Sequence, residues 1–194
     1  CSSCLKINDL QHPDLHFSFP TVQKISKTSD PILVNWREQI KKSPYFSLFS
    51  WTQYIDVKER NPIISVDESY EIHKKLSLKS YEGGFKIMII WMADKMNSEC
   101  SNKILKILEE PPQKTIFILV SQDSEILLDT IKSRCQTLHL NRVENAAIKL
   151  HLKTKYHLDQ EESESIASFS EGNLIKAYEL LNLDDDENKL SEHF

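Results

Sequence analysis

Glycine is scarce in this chain: Gly83, Gly84 and Gly172 are all it has in 194 residues. A phosphate-cradling loop of the G-x-x-x-x-G-K-[ST] kind needs two glycines five apart ahead of a lysine, so that backbone amides converge on the phosphates. No such pair exists, which excludes nucleotide binding by that device. Long apolar runs are also lacking. None approaches the roughly 20 residues that span a bilayer, and the polar start CSSCLKINDL has no apolar core of a secretory signal. Cysteine is sparse and scattered, at positions 1, 4, 100 and 135. That is no secreted disulfide framework, and it points to a reducing, cytoplasmic location away from membranes. Positive charge is not in excess either, the net charge being −5. This argues against a whole surface built to grip phosphates. A local basic stretch remains in Lys24, Lys27, Arg37, Lys41 and Lys42, for which a solvated helix face is the plainer account.

What is present is an ordinary globular composition, 40% hydrophobic and 27% charged, enough for one domain and a small helical appendage. Leu15, Phe17 and Phe19 alternate as in a half-buried strand closed by Pro20. Residues 35–42 and 46–55 read as aromatic-rich helices, carrying Trp36 and Trp51. Ile63-Ile64-Ser65-Val66 leads into a helix capped near Asp67, with Tyr70, Ile72 and Leu76 on one face. Lys86–Trp91 and Ile116–Val120 are apolar enough for strands buried on both faces. Asn97 or Ser98 caps a helix with a stripe of Cys100, Ile104, Leu105, Ile107 and Leu108, stopped by Pro111-Pro112. Thr137–Leu140 reads as a further strand. Strands alternating with helices predict an α/β fold with a parallel sheet and flanking helices. Beyond Asn141 the pattern turns helical, over Val143–Tyr156, Asp159–Phe169 and Asn173–Leu181, and Asp184-Asp185-Asp186-Glu187 follows as an acidic linker.

Four words along this pattern belong together: Ile63-Ile64-Ser65-Val66-Asp67; the run from Asn102 to Pro112, ending Leu108-Glu109-Glu110-Pro111-Pro112; Phe117-Ile118-Leu119; and Ser133-Arg134-Cys135, with Ser170-Glu171-Gly172-Asn173 after them. In this order they resemble the AAA+ clamp-loader family of bacterial DNA polymerase III, and within it the delta-prime type, over about two-thirds of the chain. The resemblance implies an AAA+-like parallel sheet with a small three-helix lid. It also implies a role among other loader subunits (gamma/tau and delta), acting indirectly on the sliding clamp and reaching primer-template DNA through the assembled ring. Where the family's ATPases carry Asp-Glu after the strand, this chain has Trp91-Met92, which can neither bind Mg²⁺ nor act as a base. Asp94 lies three positions late and reads as a capping residue. The lid's sensor arginine falls at Ile175, and the other sensor position is Ser121-Gln122. Such losses predict a non-hydrolysing member that binds no cofactor in these residues, ATP being held by the neighbouring subunit.

Arg134 is the residue this resemblance singles out, as an arginine finger acting in trans within Ser133-Arg134-Cys135. A guanidinium is permanently charged and forks its donors to match phosphate oxygens. Taken alone, an arginine before a strand is an exposed or ion-paired side chain. Cys135 has no base beside it in the sequence and reads as a small buried side chain. Glu109 and Glu110 stand at a helix C-terminus, where the dipole disfavours each by about 0.3–1 kcal/mol. They are either simply solvated or brace a basic group at a subunit interface. The rival readings are a gamma/tau-type ATPase whose nucleotide loop lies upstream, and a small zinc-dependent adaptor.

Cys1 and Cys4 resemble the last two of four ligands in the family's zinc module, and zinc needs four in tetrahedral array. His12 and His16 could complete a set, or the partner cysteines lie upstream, or no metal binds. The resemblance further places a central strand between those corresponding to Ile116–Val120 and Thr137–Leu140. Unless another segment fills that gap, the sequence is expected to be a piece of a longer protein. The expected organisation is then 1–20 zinc-module remnant and first strand, 21–60 an insertion, 61–141 the α/β core, 142–183 the lid, and 184–194 a linker towards a collar domain.

Overall fold

The computed structural model describes residues 1–55 and 61–181, so the acidic segment 184–187 lies outside the described residues. Two compact units emerge, one of residues 1–44 and 48–137, the other of 45–47 and the chain from Leu138.

The first unit is built on a three-stranded parallel sheet in the order β1 (Leu15–Ser18), β2 (Lys86–Trp91), β3 (Thr115–Val120). Leu15 stands opposite Ile87, and Lys86 opposite Thr115. β2 is central because its apolar run can pair on both edges. Met88 and Ile90 are fully buried beneath α4 (Val66–Ser77) and α5 (Ser98–Glu109), with Ile64, Ile72, Leu76, Cys100 and Ile104. α5 buries Cys100, Ile104 and Ile107 of the expected stripe, with Ser101 beside them, while Leu105 and Leu108 are partly buried; Asn97 caps it by accepting the amide hydrogen of Cys100 at 2.8 Å. Lys86 is buried as well. Its ammonium donates to the carbonyls of Leu76 and Leu78 (2.7 Å to the latter), satisfying the C-terminal end of α4 with the charge its dipole favours.

The described part of the segment expected as an insertion packs onto β1 and the residues just after it. α1 (Ser2–Asn8) precedes the strand; α2 (Leu33–Lys42) and α3 (Leu48–Tyr54) follow it. Trp36 stacks on Phe19 at 4.2 Å and Trp51 meets both edge-on at 5.3 and 5.0 Å. The Trp51 indole N–H donates to the carbonyl of Pro20 at 3.0 Å, so this wholly buried ring leaves no orphan donor.

Several expectations need correction. Tyr70 is 56% exposed because the buried face of α4 runs through Glu68, Ser69, Ile72 and Leu76, and Ser65, not Asp67, occupies the N-cap position. β3 is not buried on both faces: Ile116, Ile118 and Val120 are each 42–43% exposed, while Phe117 and Leu119 pack on the core. Thr137–Leu140 forms no strand among the described residues, and Leu138 and Leu140 stand in solvent. No described segment occupies the place beside β3.

The second unit contains α7 (Asn145–Tyr156), α8 (Gln160–Ser170) and helical residues 174–181; α6 (Asp129–Lys132) belongs to the first unit. Ile148, Leu152, Ile166, Ala167, Ala177 and Leu181 form its core. Asp159 and Glu162 make a reciprocal capping box at the start of α8. The turn after α8 requires glycine: Gly172 has φ +77°, and a Cβ there would sit 2.7 Å from the Val143 carbonyl oxygen.

Candidate functional site: the Arg134 corner and the thiol helix

Two regions of the first unit gather the residues singled out by sequence. The first is the corner where α5 ends and α6 begins. α6 is a single turn, so Ser133 falls at its C-cap and Arg134 just beyond it, projecting from the surface. The Arg134 NH2 group donates to Glu109 Oε1 at 2.6 Å, and NH1 donates to the Thr130 carbonyl at 2.9 Å and Ser133 Oγ at 3.4 Å. Of five guanidinium N–H donors, these three bonds leave two uncommitted among the described residues. The side chain is 35% exposed and that of Glu109 42%. The guanidinium is thus open to solvent yet aimed, by a carboxylate 25 residues earlier.

Glu109 is thus paired with a basic group of its own chain. Glu110 makes no such bond and instead lines a groove on the other flank of α5. Cys135 is half-buried, and burial raises its thiol pKa. Cys100 is pushed up to about 12 by burial and by the nearby Glu68 carboxylate. Neither is a poised nucleophile.

At the C-terminal ends of β2 and β3, Met92 is buried in the left-handed region at φ 55°, opening a 3₁₀ turn over Ala93–Lys95. Asp94 is not a cap for the following helix. It is buried, and accepts from Ser121 Oγ at 3.0 Å and from the Gln122 amide at 3.3 Å, with Lys95 at 3.2 Å. It holds the loop after β3 to the turn after β2. Ile175 lies near the start of helical residues 174–181.

The second region is α1. Cys1 is its N-cap, and the Cys1 and Cys4 sulfurs lie 3.3 Å apart, both exposed and on one side of the first turn. That convergence suits two ligands of one metal ion. His12 is engaged elsewhere: its Nε2 meets Glu82 Oε2 at 3.1 Å and its Nδ1 accepts the Asp14 amide hydrogen at 3.1 Å. His16 does not join them, and the described residues contain no cluster of three or more metal-ligating side chains.

Sequence reasoning missed Glu82, which binds α1 to the body. Ser3 Oγ and Lys6 Nζ donate to it at 2.6 and 3.0 Å, and together with His12 they hold its carboxyl down at about 2. Asp14 anchors the same loop. Burial works against its charged form, but bonds from the amides of Tyr81 and Glu82 and from Ser80 Oγ outweigh that and lower its pKa.

Comparison with known proteins shows the family and the fold. Residues 1–144 match the family described as DNA polymerase III, delta subunit. The chain is 30% identical over 149 residues to the delta′ subunit of DNA polymerase III from Bacillus subtilis, covering 77% of this chain and 33% of that protein. It is 31% identical over 132 residues to the DNA polymerase III subunit tau of the same organism, covering 66% and 23%. The chain thus spans a third or less of the length of these relatives. Among solved structures, the RuvB Holliday junction branch migration motor of Thermotoga maritima aligns with a TM-score of 0.50 at 15% identity, over 73% of this chain and 50% of that one. The fold is accordingly AAA+-like α/β. Among the described residues no helix is long and apolar enough to cross a membrane.

Proposed function

Since the chain belongs to the DNA polymerase III delta-subunit family, on its delta-prime branch, we propose that it serves as a non-hydrolysing clamp-loader subunit that completes a neighbour's ATPase site with Arg134. The neighbour is a gamma/tau-type subunit holding ATP. Delta, the sliding clamp and primer-template DNA are reached through the assembled ring.

The observation that carries this reading is the half-exposed guanidinium with two uncommitted donors, steered by Glu109. When the terminal phosphoryl group transfers, charge develops on its equatorial oxygens. A rigid positive fork brought against them lowers the barrier, and such fingers are worth about 10³–10⁵ in rate. Glu109 acts as a positioning residue: it fixes one edge of the guanidinium and leaves the other for phosphate. Nothing in these residues supplies magnesium ligation, since a buried thioether stands at Met92 and Asp94 is committed to Ser121 and Gln122. This disfavours a gamma/tau-type ATPase of its own. Cys1 and Cys4 fit one half of a structural zinc site, whose other two ligands would come from residues upstream; zinc there would hold α1 together and do no chemistry.

The test is reconstitution of the loader from full-length subunits with Arg134→Ala. Clamp- and DNA-stimulated ATP hydrolysis falls at least a thousandfold at the dependent site while assembly persists. Unchanged hydrolysis at every site rejects the proposal.

A further inference from the structure

The flank of α5 turned away from Arg134 carries a feature that the finger does not use. Between α4 and α5 lies a groove of about 520 Å³. Its floor is apolar, formed by Ile107 and Pro112, and its rim is basic, formed by Lys103 and Lys106. These lysines stand three apart on one helix, so their ammonium groups line the same side. Lys103 Nζ lies 3.6 Å from the centroid of the Tyr70 ring, which holds the cation at the groove wall without neutralising it. Among the described residues neither lysine has a carboxylate partner, although the chain is acidic overall. Tyr70 is exposed, off the buried face of its own helix, a placement that gains α4 nothing in core burial.

We propose that this groove docks an acidic peptide segment of a partner protein, with carboxylates on Lys103 and Lys106 and one apolar side chain seated on Ile107 and Pro112. Charge complementarity selects the occupant. Two ammonium groups with no carboxylate partner among the described residues, beside an apolar floor, match an acidic segment with a single hydrophobic anchor. Glu110 closes one end of the groove and sets direction, because it repels carboxylates there and keeps the acidic part of the segment over the lysines. The same glutamate disfavours nucleic acid, whose phosphate at each residue would be run against it. His73, one turn along α4 from Tyr70, offers a further hydrogen-bond donor to the segment's backbone. The inference is independent of the Arg134 reading.

Fluorescence anisotropy with a labelled nonapeptide of aspartates around one leucine tests it, beside a twin carrying asparagine at every aspartate. The aspartate peptide binds, more weakly as salt rises, and the asparagine twin binds at least tenfold more weakly. Lys103→Glu with Lys106→Glu reduces binding tenfold or more, whereas Lys42→Glu leaves it unchanged. Should the double reversal disturb folding, Lys103→Gln with Lys106→Gln gives a reduction of the same direction in a folded chain. Equal binding of the two peptides, or indifference to both double variants, overturns the proposal. So does binding of labelled oligothymidylate that depends on these lysines when the peptide does not bind.

Discussion

Replacing Glu109 by glutamine separates two things the Arg134 ion pair could do. The pair is short, 2.6 Å, but its side chains are 35% and 42% exposed, so its worth to stability is small, about 0.2–1 kcal/mol. Glu109→Gln should therefore leave the unfolding midpoint within a few degrees of the original. Its effect on a neighbour's hydrolysis is of another kind. The amide oxygen still accepts a hydrogen bond, but the charge that steers the guanidinium is gone. A loss of about 1.4 kcal/mol in positioning corresponds to about tenfold in rate, well short of the 10³ or more expected on deleting the finger. The decisive measurement is the double-mutant cycle in a reconstituted loader. On an Arg134→Ala background, Glu109→Gln should cost nothing further, because there is nothing left to position. A full additional tenfold loss on that background would refute the positioning argument, and so would an Arg134→Lys variant as active as the parent, since lysine keeps the charge but loses the fork.

Three further outcomes follow from the structure. Gly172→Ala places a methyl group 2.7 Å from the Val143 carbonyl oxygen at a φ of +77°, and should destabilise the second unit by about 1–3 kcal/mol in denaturant unfolding. Trp51→Ala empties the buried aromatic cluster around Phe19 and should cost about 3–5 kcal/mol, read from the same experiment. Two carboxylates give the stability–pH profile opposing slopes. Glu68 is buried against Ser29 and its pKa is raised above 4.5 by burial, so the folded chain holds that proton more tightly than the unfolded one; stability falls as pH climbs from about 4.5 through the raised value, a component that Glu68→Gln removes. Glu82 is depressed to about 2, so its contribution is whole above about 4.5 and is lost as pH drops toward 2, a component that Glu82→Gln removes.

The regular parts of the first unit were legible because their signals are local. The alternation in β1, the stripe and Asn97 cap of α5, and the Pro-Pro stop each follow from a few neighbouring residues. The site was legible in its words but not in its bonds. Arg134 and the Glu109-Glu110 pair were each visible, yet nothing in the sequence says which glutamate turns toward the arginine. That depends on how α5 and α6 pack, and only Glu109 faces the right flank. Tyr70 was misplaced because helical spacing from Ile72 and Leu76 does not include it; Glu68 and Ser69 take the buried positions, polar residues a hydrophobic pattern passes over. Thr137–Leu140 has the composition of a strand, but a strand needs a neighbour to exchange hydrogen bonds with, and the described residues supply none. Glu82 and Asp14 were unreadable for a similar reason, since their partners lie some 65 to 80 residues away along the chain.

Lys86 makes the junction of α4 and β2 a built-in reporter. Its amine is sealed under the helix end it serves, so an acylating reagent added to the folded chain should label the outward lysines first and leave this one untouched. Modification at that position then counts opening events, and mass spectrometry of its peptide would time how often the central strand lets go.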